Sequence, residues 1–127
     1  MALYAQTSGD QSTNSGSFVP IPGLTLIIPE GAGISALVIL NVPNPYARGN
    51  EYPGGTFGIS VNGTVSPVTA TFTYNELVPA STGRIPTTLV ISVPLGIKPQ
   101  TIMGMWFGVR NSTVHIDSPA SLSAIIG

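Results

Sequence analysis

Two arginines stand among hydroxyls in the second half of the chain. Arg84 closes the segment Pro79-Ala80-Ser81-Thr82-Gly83-Arg84, and Arg110 opens Arg110-Asn111-Ser112-Thr113-Val114-His115-Ile116-Asp117-Ser118. A guanidinium donates up to about five hydrogen bonds in one fixed plane. Two such forks beside Ser and Thr hydroxyls, in a chain otherwise nearly bare of charge, point to specific polar recognition. His115 and Asp117 lie two apart on an expected strand, so they share a face. With Ser112 or Ser118 they contain the ingredients of a hydrolase triad, but no nucleophile-elbow pattern accompanies them. The plainer reading is that His115 and Asp117 hydrogen-bond each other or nearby backbone. One His, scattered carboxylates and no Cys supply neither a zinc ligand set nor a calcium loop. Tyr46 and Tyr52 fall in a Pro- and Gly-rich stretch. They serve there either as packing anchors over a sheet edge or as stacking surfaces for the apolar face of a sugar.

Composition narrows the class. Of 127 residues, 7% are charged and 43% hydrophobic, against about 25% charged in an average soluble domain. That length makes one domain. A surface so poor in charge is buried against another subunit at little desolvation cost, which favours an oligomer. Four basic residues and a net charge of −1 form no phosphate-tracking patch, which argues against nucleic acid. No apolar run reaches the ~18 residues of a membrane span. Met1 to Phe18 is polar and lacks the basic and apolar regions of a secretory signal. Asn62-Gly63-Thr64 and Asn111-Ser112-Thr113 match the short glycosylation acceptor pattern, which carries little weight without a secretory route.

The 15 glycines and 12 prolines argue against long helices. Residues 1–17 are expected to form a flexible or irregular arm, and 18–127 the folded domain. Strands are expected at Leu24–Ile28, Thr56–Val61, Thr87–Val93, Ile102–Val109, Thr113–Ile116 and Leu122–Ile126. Ile34–Val42 is nearly continuous in apolar residues, which suits a strand covered on both faces. Pro43–Gly55 is expected to be a long loop. Asn62-Gly63 is a hairpin signal. Val68, Ala70, Phe72 and Tyr74 alternate with Thr69, Thr71 and Thr73, the pattern of a half-buried strand. Thr73 and Tyr74 should therefore point to opposite faces. Eight to ten short strands predict an all-β sandwich or jelly roll. Ile34–Val42 and Leu122–Ile126 are candidates for core and for contact between subunits.

The strings Val38-Ile-Leu-Asn-Val-Pro-Asn-Pro-Tyr46-Ala, Phe72-Thr-Tyr74, Val78-Pro-Ala-Ser-Thr-Gly-Arg84, Val109-Arg110, His115-Ile-Asp-Ser118 and Ala120-Ser-Leu-Ser-Ala-Ile125 carry a resemblance. From about Phe18 onward the chain resembles the TNF-like, fucose-binding N-terminal domain of Burkholderia two-domain soluble lectins. The resemblance implies an all-β, TNF-like jelly-roll homotrimer without enzyme activity, cofactor or metal. Its partners would be L-fucose and fucosylated oligosaccharides, bound between neighbouring subunits. By position, Thr73, Tyr74, Arg84 and Arg110 would form one side of the site, and Tyr46, Ser81 and Thr82 the other.

Departures from the family pattern fall on the rim. Thr56 stands where the family has a tyrosine, Ala80 where it has a glutamate, Thr69 where it has an aspartate, and Pro119 where it has an aromatic. Thr69 and Ala80, with His115, Asp117 and Ser118, lie where sugars beyond the fucose would be met. The alternative function is a structural or protein-binding jelly-roll subunit whose sugar site has decayed. A hydrolase using His115, Asp117 and a serine ranks behind both.

Overall fold

The alternation of apolar and polar residues resolves into twelve strands and no helix, in a computed structural model that describes all 127 residues. No helix is therefore long and apolar enough to cross a membrane. One sheet has the order β1-β12-β4-β9, with β1 at Ala2–Gln6, β12 at Ser121–Ile126, β4 at Ser35–Val42 and β9 at Thr87–Pro94. The second runs β3-β10-β6-β7, from Val19–Ile28, Gln100–Val109, Gly54–Val61 and Thr64–Val65, and β8 (Ala70–Thr73) also pairs with β6. A third sheet, β2-β11-β5, joins Gln11–Thr13, Thr113–Ile116 and Pro45–Arg48. Every pairing is antiparallel.

The core follows from strand periodicity. Ala36, Val38, Leu40 and Val42 of β4 face inward with Leu122, Ala124 and Ile126 of β12. They meet Leu24, Leu26 and Ile28 of β3, Phe57 and Ile59 of β6, and Ile102 and Trp106 of β10, all in one apolar cluster. Beside Gly23, whose φ of +89° suits glycine, a bulge lets β3 skip residues against β10. The pairing passes there from Thr25 opposite Met103 to Pro20 opposite Met105.

Three expectations require correction. Residues 1–17 are not an irregular arm, since β1 pairs along β12 and β2 along β11. The polar composition of this stretch reflects its outward positions, while Leu3 and Ala5 pack on the core. Pro43–Gly55 is not all loop, because it contains β5. Within one chain Ile34–Val42 is covered on one face only: Leu37 is 43% exposed, and Ile34 lies outside the strand at 82%. Its alternate residues split between core and surface, as in any half-buried strand.

Register also defines the two ends of the sandwich. Ser35 pairs with Pro94 at one end, and Val42 with Thr87 at the other. The end at Val42 leads directly into β5 and receives the long segment between β8 and β9. The candidate residues gather there.

Candidate functional site

Strand β5 is the scaffold of the site. One edge pairs with β11, placing Tyr46 opposite His115 and Arg48 opposite Thr113. The other edge is closed by the segment that follows β8. Ile85 N donates to Pro45 O at 3.0 Å, and Ala47 N donates to Tyr74 Oη at 3.4 Å. Tyr74 Oη in turn donates to Gly83 O at 2.7 Å. The tyrosine hydroxyl thus bridges β5 and the Ser81–Arg84 turn. Burial raises the Tyr74 pKa above its ordinary value, partly opposed by the Ala47 hydrogen bond and the nearby Arg84 charge. Thr73, as its place in the strand requires, leaves on the opposite face and lies across from Gly54.

This framing brings Arg84 onto Tyr46, with the guanidinium carbon 4.0 Å from the ring centroid, a cation–π arrangement. The His115 ring stacks on the same tyrosine at 4.8 Å with an interplanar angle of 11°. Arg84 Nη2 donates to Asp117 Oδ2 at 2.7 Å. His115 and Asp117 therefore do not bond each other. Asp117 orients the arginine, and His115 supports the tyrosine ring. Burial lowers the His115 pKa most. The Arg48 charge lowers it further, the Asp117 carboxylate opposes this, and Arg84 adds a smaller lowering. No serine hydroxyl bonds His115; Ser118 Oγ accepts from Asn44 Nδ2 at 2.8 Å, and Ser112 Oγ accepts from Gly54 N at 3.0 Å.

A cavity of about 530 Å³ opens beside this cluster, within the ~300–1,000 Å³ usual for small-ligand sites. Tyr46, Ser81, Thr82 and Arg84 line it together with Ala80, Val78 and Pro79. Its wall thus offers a tyrosine side chain, a guanidinium fork and two hydroxyls. Arg48, Gly49 and Asn50 complete the lining. The sequence did not single them out, because β5 was hidden in a Pro- and Gly-rich stretch. Once 45–48 is known to be a strand, Arg48 must share the face of Tyr46.

Arg110 lies elsewhere. It and Asn111 take positive φ, 50° and 60°, in the tight turn from β10 to β11. Its Nε donates to Glu51 O at 3.0 Å and its Nη2 to Tyr52 O at 2.5 Å. Three bonds to two carbonyls fix the fork and leave its Nη1 hydrogens free. Thr73 is near, because β6 begins at Gly54 between Thr73 and Val109. Thr56 follows on the same face of β6, but it is only 5% exposed and shares a 2.8 Å hydrogen bond with Thr71 Oγ1. Thr69 is exposed just before β8.

The residues proposed from sequence thus fall into two groups. Tyr46, Ser81, Thr82 and Arg84 share one cavity, with Ala80 on its wall and His115 and Asp117 behind it. Arg110, Thr73 and Thr56 lie along the start of β6. Within one chain Arg84, which the resemblance sets on the same side as Arg110, lines the cavity with Tyr46.

Fold and site together define an all-β sandwich domain with a polar, arginine-bearing cavity at one end. The chain belongs to the family described as Bc2l-C, N-terminal domain, which matches residues 3–125. This is the family that the sequence strings resembled, and the match extends through the first two strands. No curated relative matches the chain. Among solved structures, dimeric latent PorU from Porphyromonas gingivalis is similar at 14% identity over 97% of this chain and 12% of that one, with a TM-score of 0.51, a likeness of fold. The CBM36-1 domain of a multidomain xylanase from the hindgut metagenome of Trinervitermes trinervoides is 14% identical over 100% of this chain and 98% of that one, TM-score 0.48. The infectious bursal disease virus VP2 subviral particle is 15% identical over 98% and 36%, TM-score 0.41.

Proposed function

We propose that this domain is a metal-independent lectin for L-fucose and fucosylated glycans, TNF-like in its jelly-roll topology and trimeric, with each site shared between neighbouring subunits. The observation that carries the reading is the cavity in which Tyr46, Ser81, Thr82 and Arg84 converge. An arginine fork bridges vicinal hydroxyls or a hydroxyl and the ring oxygen, and Ser and Thr hydroxyls donate and accept. With His115 stacked on the Tyr46 ring and Arg84 over it, the tyrosine meets the methyl group of a deoxyhexose with its edge and hydroxyl. Hydroxyls pointing elsewhere would be buried without partners, which is the basis of selectivity.

Sharing between subunits is supported by the different settings of the two arginines within one chain, Arg84 in the cavity with Tyr46 and Arg110 held by the carbonyls of Glu51 and Tyr52. It is also supported by the outward face of the β1-β12-β4-β9 sheet, where Tyr4, Leu37, Val90 and Ile125 are exposed. Residues alternating with the core along these strands include no charge, so a second subunit covers the face at low desolvation cost. Fucose has about eleven heavy atoms. At about 0.5 kcal/mol each, one site supplies roughly −5 to −6 kcal/mol, near 100 μM. Useful binding to a cell surface then rests on several sites engaging together.

Calorimetric titration with methyl α-L-fucoside, with and without chelator, tests the reading beside Arg84→Ala and Arg110→Ala. Heat from the wild type, unchanged by chelator and lost in both variants, is expected. An intact trimer giving no heat would leave the structural or protein-binding alternative, and binding abolished by chelator would overturn the metal-free scheme.

A further inference from the structure

We propose that Arg48 forms an anion subsite in the same cavity, which takes a carboxylate or sulfate carried by an acidic saccharide. The inference deepens the lectin reading and rests on it for the neighbouring sugar. Its basis is the charge of the cavity wall. Two guanidiniums line the cavity and no carboxylate does. The Arg84 charge is answered by Asp117, and that is the sole ion pair in the chain. Arg48 has no such answer. Glu51, three residues on, forms no ion pair and is not part of the wall.

Arg48 is also held at the cavity. It lies on β5 opposite Thr113, with its guanidinium carbon 5.5 Å from the Tyr46 centroid. Arg84 is 4.0 Å from the same centroid, and both forks line the one cavity, so a ligand there is within reach of both. Two cations beside one ring repel each other, and a bound anion removes that repulsion while gaining charge-assisted hydrogen bonds. The lowered His115 pKa, to which Arg48 contributes after burial, reports the same positive field behind the ring. Ser81 and Thr82 serve neutral hydroxyls, and Ala80 adds no negative charge to repel an acidic group.

The test compares a neutral fucosyl disaccharide with its sulfate-ester and uronic-acid forms, using wild type and Arg48→Gln at low and high sodium chloride. The wild type is expected to bind at least one acidic form about fivefold to tenfold more tightly than the neutral one. The preference, read as the ratio of acidic to neutral affinity within each protein, should shrink at high salt and vanish in R48Q. The sulfate and carboxylate arms identify which anion is taken. Equal affinity for neutral and acidic forms, or a preference that survives in R48Q, overturns the proposal. If the neutral fucoside does not bind at all, the fucose reading fails separately. The anion subsite is then judged by NMR titration with galactose 3-sulfate and glucuronate against galactose. A shift of the Arg48 Nε–H with the anions alone upholds it, and no shift overturns it.

Discussion

Tyr74 separates two roles that the same residue could play. Its ring packs edge-on against Phe72, with centroids 5.8 Å apart, and its hydroxyl joins Ala47 N to Gly83 O. Tyr74→Phe keeps the ring and removes only the bridge. Gly83 is exposed, so its carbonyl regains a water. Ala47 is fully buried, so its N–H loses its only partner. Leaving a buried donor unpaired costs about 1–3 kcal/mol. The 3.4 Å bond being lost is long, which places the expected cost in the lower part of that range, at about 1–2 kcal/mol. Freed from Gly83, the turn carrying Ser81, Thr82 and Arg84 samples more positions, and affinity for methyl α-L-fucoside should fall about threefold to tenfold. Urea denaturation and calorimetric titration of the same preparation measure both effects. Wild-type stability with complete loss of binding would refute the bridging role and make the hydroxyl a direct sugar contact. Wild-type values in both assays would refute either role.

Further expectations concern stability, pH and assembly. Trp106→Ala empties the centre of the core, where the indole is 1% exposed, and should cost about 3–5 kcal/mol in chemical denaturation. Because the His115 pKa is lowered in the fold, the unfolded chain holds the extra proton more readily. Stability should therefore be full above about pH 6.5 and be lost as pH falls below it, with His115→Gln flattening that dependence in urea midpoints taken from pH 5 to 7.5. Leu37→Glu puts a charge on the uncharged outer sheet face and should reduce the mass measured by light scattering to that of a monomer, with the β circular dichroism spectrum retained.

The sequence revealed the sandwich where its period was strong. Phe72 and Tyr74 alternating with threonines announced β8, and the apolar positions of β9 and β10 announced theirs. Two elements escaped because local composition opposed their structure. Pro45–Arg48 is a strand despite prolines and glycines around it, since β11 supplies the pairing on one edge and Tyr74 and Ile85 close the other. Ala2–Gln6 is a strand because β12, more than a hundred residues away, accepts it. No local signal encodes a partner at that distance. For the site, residue types were legible but grouping was not. Arg84 and Arg110 looked alike in sequence. The bridge from Tyr74 to Gly83 and the bond to Asp117 bring Arg84 to Tyr46. A tight left-handed turn sends Arg110 to the carbonyls of Glu51 and Tyr52 instead.

The division between those arginines leads to the central claim, that one sugar site takes Arg84 from one subunit and Arg110 from its neighbour. Arg84→Ala and Arg110→Ala chains, each expected to be inactive alone, can be co-refolded in equal amounts and titrated with methyl α-L-fucoside. Each mixed trimer has about one boundary in three that pairs an intact Arg84 group with an intact Arg110 group, so over all randomly assembled trimers binding should return at about a quarter of the sites. Mixed trimers that form, as native mass spectrometry would establish, yet recover no binding would contradict the shared site.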